Sequence, residues 1–233
     1  MKSKLALWLF ALALICGFAA LGRWQWHRAA EKQALLDQQA KAQNQSSPLS
    51  LADLSRQPSR DLAWVQGRGR FAETPVLLLD NQRRGDAVGV RVYRVFQPDD
   101  GRALLVDLGW LPLPPDRHLP TPAPIPGTQM LRGLLTPPPA SGLALGAAYT
   151  QPSPTQWLLI RVDLPALSAA LHLELAPRVL RLDPKLPIGY PRDLDLLSNT
   201  LPPERHRGYA VQWFGLAFAT LVTAIFLSLR RRP

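Results

Sequence analysis

The sequence predicts a membrane protein in which two transmembrane helices flank a predominantly β extracytoplasmic domain, partly closed and barrel-like, of the α+β class. Three observations predict it. Two uncharged apolar runs, 5–21 and 209–229, lie towards the two ends. Between them, short Val- and Leu-rich runs alternate with turn residues. The 233 residues also leave room for one compact domain and its anchors, not two large domains.

Crossing a hydrocarbon core of about 30 Å takes roughly 20 helical residues. The second run meets that length. The first is shorter, and Gly22, Trp24 and Trp26 extend it into the interface, where indole rings partition. The sequence therefore divides into a cytoplasmic N-terminus (1–4), a first span (5–22), a periplasmic domain (23–208), a second span (209–229) and a cytoplasmic C-terminus (230–233). A cleavable signal peptide is the alternative for the first run, with Lys2 and Lys4 as its basic region and small residues near Gly17 and Ala20. Bulky Ile15 argues against a lipoprotein site at Cys16, which is the single cysteine and so excludes an intrachain disulfide.

Lys2, Lys4 and Arg230 to Arg232 place both ends inside by the positive-inside rule. Arg23, Arg28, Lys32, Arg205 and Arg207 oppose that bias, but a long translocated loop has little vote. The net charge of +10 comes mostly from scattered arginines, with no basic run interleaved with aromatics. Nucleic acid is therefore not an expected partner, whereas anionic membrane lipids are.

Arg23 to Gln45, free of Gly and Pro, reads as a helical stem that ends near position 46. A short helical turn is expected at 49–54. The mainly β region covers 60–185, with strands expected at 62–71, 76–80, 88–96, 103–111, 129–135, 157–162 and 179–182. The alternating run from Val88 to Phe96 predicts a strand with one buried face. Residues 112–126 are proline-rich and read as an extended crossing, 137–154 as a long irregular loop, and 164–172 as a short helix.

No glycine-rich phosphate loop, His-Glu-x-x-His or serine elbow is present, and the four histidines are far apart in sequence, so the expectation is a protein that is not an enzyme. His206, three residues before the second span, has two readings: an interfacial His among snorkelling arginines, or a haem-iron ligand with Arg205 and Arg207 meeting the propionates.

The ordered motifs carry a resemblance. Leu21-Gly22-Arg23-Trp24-Gln25-Trp26-His27-Arg28 resembles the Leu-Gly-x-Trp-Gln-x-x-Arg signature of the surfeit locus protein 1 family, and Lys32 follows as in many members. Gly67 to Phe71, Asp80-Asn81-Gln82, Val88 to Tyr93 and Leu104 to Pro112 resemble its strand blocks. His206-Arg207-Gly208-Tyr209-Ala210-Val211-Gln212-Trp213-Phe214 resembles its closing signature. Leu108 departs from the pattern, standing where the family usually has Arg before Gly-Trp.

The resemblance implies an assembly factor for cytochrome c oxidase in a bacterial inner membrane, with its main domain periplasmic. It implies transient binding of haem a, passed from haem A synthase towards oxidase subunit I. His206 occupies the position of the family's proposed haem ligand, with Arg207 beside it. Trp24, Gln25, Tyr209 and Trp213 match other signature positions, where helix packing is the alternative to ligand contact. His27 matches no motif but lies beyond the first span, and is a candidate second axial ligand. A cofactor-free scaffold that docks an oxidase subunit is the competing function.

Overall fold

The computed structural model describes residues 2–45, 47–52, 61–139, 146–197 and 200–230. It resolves into two compact units. One comprises Met1–Asp37 and Leu196–Pro233, the other Gln38–Asp195.

The first unit is built on two helices. Helix α1, Lys2–Gln43, is 42 residues long with neither Pro nor a break at the expected junction of span and stem, so it measures about 63 Å. Its last residues belong to the second unit. The C-terminal helix, Pro203–Leu229, starts with Pro203 in its first turn, where the missing N–H costs nothing. Both helices are long and apolar enough to cross a membrane. Most of their large apolar side chains are exposed, among them Leu9, Phe10, Leu12, Val211, Phe218 and Phe226. Water would penalise such a surface and lipid would not.

The second unit is a mixed nine-stranded sheet. Its strands are β1 (Leu49–Ser50), β2 (Ala63–Phe71), β3 (Val76–Arg84), β4 (Ala87–Pro98), β5 (Ala103–Pro112), β6 (Thr128–Thr136), β7 (Tyr149–Ser153), β8 (Gln156–Leu159) and β9 (Leu175–Leu182). They run in the order β1-β2-β6-β9-β5-β4-β3-β8-β7. A short extra pairing of Gly69–Phe71 with Phe96–Pro98 turns β2 back onto β4, so the central strands form a partly closed ring rather than a clean barrel. Helix α2, Leu164–Leu171, is capped by Asp163, whose side chain accepts from the Ala166 N–H, and ends on His172 in the left-handed region. That cap gives His172 a structural role. We number the C-terminal helix α3.

Two apolar cores lie on the two faces of this sheet. Val65, Leu78, Val92, Val106, Leu131 and Leu180 share one, which Leu113, Leu119 and Ile125 of the proline-rich crossing help to cover. Leu77, Tyr93, Val95, Leu105 and Val179 share the other, under Leu164 and Leu167 of α2. The expectation of one buried face for Val88 to Phe96 is therefore corrected, because both faces of β4 are covered.

Other boundaries also move. Strand β3 continues past Asp80 through a bulge at Asn81 (φ 56°) to a hairpin at Gly85. β9 begins four residues earlier than the expected 179, and β8 stops at Leu159. The loop expected at 137–154 contains β7, an edge strand, where Pro152 forfeits no essential hydrogen bond. Leu49 and Ser50 pair with β2, Leu51 and Ala52 are helical as expected, and 53–54 lie outside the described residues.

The strand blocks of the family pattern come together in this unit. Trp110 Nε1 donates to the Gln82 carbonyl at 2.9 Å. Gly89 lies beneath the same indole, where an added Cβ would come within 2.5 Å of the ring. Gly109 (φ +118°) follows the β5 bulge. Leu108 is fully buried in the first core as an apolar packing residue.

Candidate functional site

The helical unit packs along a seam that its sequence spacing explains. On α1 the least exposed positions include Ala11, Ile15, Phe18, Gly22, Gln25, Ala29 and Lys32, at alternating intervals of four and three. On α3 they are Pro203, His206, Ala210, Trp213, Ala217, Thr220 and Ala224, at three and four. This is the heptad spacing of a coiled-coil seam, filled in the apolar section largely by small residues that let backbones approach. Gly22 shows the closeness: an added Cβ would lie 2.8 Å from the Phe214 ring. Phe18 stacks on Trp213 with ring centroids 5.8 Å apart. Trp8 Nε1 donates to Ser228 Oγ at 3.3 Å, near the ends of both helices.

At the other end of the seam its chemistry changes to Gln25, Lys32 and His206. His206 Nδ1 lies 2.6 Å from Gln25 Oε1. The His206 side chain is buried, and its Nε2 has no hydrogen-bond partner. Lys32, also buried, donates from Nζ to the Leu201 carbonyl. Arg207 is exposed and donates to Gln33 Oε1 at 3.3 Å, and Arg28 pairs with Glu31 at 2.9 Å.

Burial lowers the His206 pKa from its ordinary 6.5, and the positive charges of Lys32 and Arg28 lower it further. Both effects favour the neutral imidazole. Burial likewise lowers the Lys32 pKa, with Arg28 adding to the effect.

Of the residues singled out from the sequence, the structure brings His206 and Gln25 into contact. Trp213 lies about two turns along the seam from them, against Phe18. Trp24 and Tyr209 are exposed at the same end of the two helices, free to meet lipid or a ligand. His27 is exposed and lies about 200° around α1 from Gln25, on the opposite side of the helix from the residue that contacts His206. Lys32 is the member of the site that sequence reasoning left as a flanking charge. The heptad interval from Gln25 through Ala29 to Lys32 was the signal that could have found it.

A buried polar nitrogen without a partner costs about 1–3 kcal/mol, so an unpaired Nε2 asks for an explanation. Ligating histidines characteristically offer one ring nitrogen to a metal while the other is held by a neighbour. The donor set at His206 would suit one nitrogen ligand to haem iron.

The second unit holds a different buried polar cluster. Asp107 accepts from Arg91 and from the Gly109 N–H (3.0 Å), and lies 3.8 Å from Arg181 Nε. Asp193, half exposed, approaches both arginines at 3.9 to 4.0 Å. Burial and the Asp107 charge push the neighbouring Tyr93 phenol well above its ordinary pKa. The charges balance, two arginines against two carboxylates, as in a structural network.

A family model described as the SURF1 family matches residues 12–218, from within the first apolar run into the second. No curated protein matches the chain.

Proposed function

The chain belongs to the SURF1 family, which is known for cytochrome c oxidase assembly, and we propose on that premise that it binds haem a and assists its delivery to oxidase subunit I. In this reading haem A synthase supplies the haem. The two apolar helices lie in a bacterial inner membrane, with the β unit on the periplasmic side. One observation carries the proposal: His206 is buried, held at Nδ1 and unpartnered at Nε2.

When bound, the haem supplies an iron that takes a nitrogen ligand. His206 Nε2 offers the lone pair. Lys32 and Arg28 disfavour protonation of that nitrogen, which would abolish it as a ligand. Arg205 and Arg207, both exposed, provide the charge-assisted donors that carboxylate substituents need. Trp24 and Tyr209, exposed at the same end of the helix pair, are the aromatic side chains available to a haem ring.

The competing reading is a cofactor-free scaffold. The Gln25–His206 bond favours it to the extent that such a bond also ties two helices together. Capture of subunit I by the full-length chain in cells unable to make haem a separates the two. The haem reading expects capture to fall when haem a is absent and on His206→Ala. Capture that ignores both changes supports the scaffold.

A further inference from the structure

We propose that Gln25 is a positioning residue: its side-chain carbonyl selects the His206 tautomer protonated at Nδ1 and so makes Nε2 the coordinating atom. The identity of the ligand rests on the haem reading above. The tautomer rests on the geometry of this chain.

A glutamine Oε1 can only accept, and a separation of 2.6 Å from His206 Nδ1 requires a proton between the two atoms. That proton belongs to Nδ1. A neutral imidazole carries one N–H, so Nε2 keeps its lone pair. The other tautomer would set two lone pairs against each other across 2.6 Å and would bury an Nε2–H that has no acceptor. Both faults cost free energy in a buried site.

The choice of an amide matters as well. A carboxylate at position 25 would stabilise the imidazolium and raise the His206 pKa, removing the lone pair from part of the population. An amide orients the ring without that charge. Gln25 is half-buried on the α1 seam, which limits where its side chain can go. A partner that holds a ligating histidine by its other ring nitrogen is worth roughly tenfold to a hundredfold in metal affinity.

The test uses the full-length chain in lipid nanodiscs, with 15N-labelled histidine and no haem. The His206 signals are identified by their loss in His206→Ala. The expected spectrum has a pyrrole-type Nδ1 and a pyridine-type Nε2. In Gln25→Leu the pattern should move to the Nε2-protonated form that free imidazole side chains prefer. In Gln25→Glu it should move towards imidazolium at neutral pH. Haemin titration of the same samples should weaken tenfold to a hundredfold in Gln25→Leu. A cross-link between positions 8 and 228 in each variant checks that the helices still pair. An Nε2-protonated wild type, or a tautomer unmoved by Gln25→Leu in paired helices, overturns the assignment. Haemin binding that needs His206 but ignores Gln25→Leu overturns the positioning role and leaves the haem reading standing. The expected tautomers with no haemin binding support the selection by Gln25 and remove the haem reading instead.

Discussion

Gln25 Oε1 and His206 Nδ1 lie 2.6 Å apart although 181 positions of sequence separate the two residues. The pair ties the start of the second apolar run to the end of the first. Its register agrees with the contact of Trp8 and Ser228 near the opposite ends of the same helices. Small residues between these contacts, Ala11, Ala210, Ala217 and Ala224 among them, keep the seam narrow. A polar pair placed there faces its partner, not solvent.

That placement fixes a pH dependence. The folded His206 pKa lies below 6.5, so the unfolded or opened form binds the proton more readily. The contribution of the neutral pair is present above 6.5 and is lost as pH falls through the folded value. An NMR titration of His206 should show a midpoint below 6.5. Replacing Lys32 with Met should raise the midpoint, because one positive neighbour is gone, but not to 6.5, because burial is the larger cause.

The seam also predicts a cross-linking pattern. In a Cys16→Ala background, Trp8→Cys paired with Ser228→Cys should be joined by a short bis-maleimide in membranes. Trp8→Cys paired with Tyr209→Cys, at opposite ends of the helix pair, should not. Efficient joining of the second pair alone would mean a different helix register.

In the β unit the decisive group is Asp107, buried between Arg91 and Arg181. Asp107→Asn removes the buried anion and leaves both arginines only the half-exposed Asp193, and should destabilise the full-length protein by about 3–5 kcal/mol. Asp193→Asn removes a half-exposed partner and should cost less than about 1 kcal/mol. Thermal unfolding in detergent, followed by β-sheet circular dichroism, measures both. Equal losses would show that the network is shared evenly instead of centred on Asp107.

Much of this architecture was legible because local physics dictates it. Bilayer thickness sets the length of the apolar runs, and short apolar runs split by turn residues marked β2 to β6 to within a few residues, apart from the far end of β3. The loss of alternation hid the rest. In β4, Arg91 looked like a solvent-facing residue, yet the fold covers that face and pairs it with Asp107. In β7, Pro152 masked a strand that survives because it is at an edge. The site was half legible. Its residues stood in recognisable motifs, but the contact of Gln25 with His206 is a tertiary fact that no local pattern contains. The four-three spacing on each helix would have indicated the shared face, and the register would still have been missing. His27 illustrates the limit: closeness to the membrane end in sequence said nothing of the side of the helix it occupies.

The central claim is that His206 holds haem a through a free Nε2. It is tested most directly by absorption spectra of the full-length chain and its His206→Ala variant, each purified from cells that make haem a. The account predicts a haem a spectrum with the wild type and its loss in the variant, with the helices still paired by the 8–228 cross-link. Equal haem a in both proteins, or none in the wild type, would contradict it.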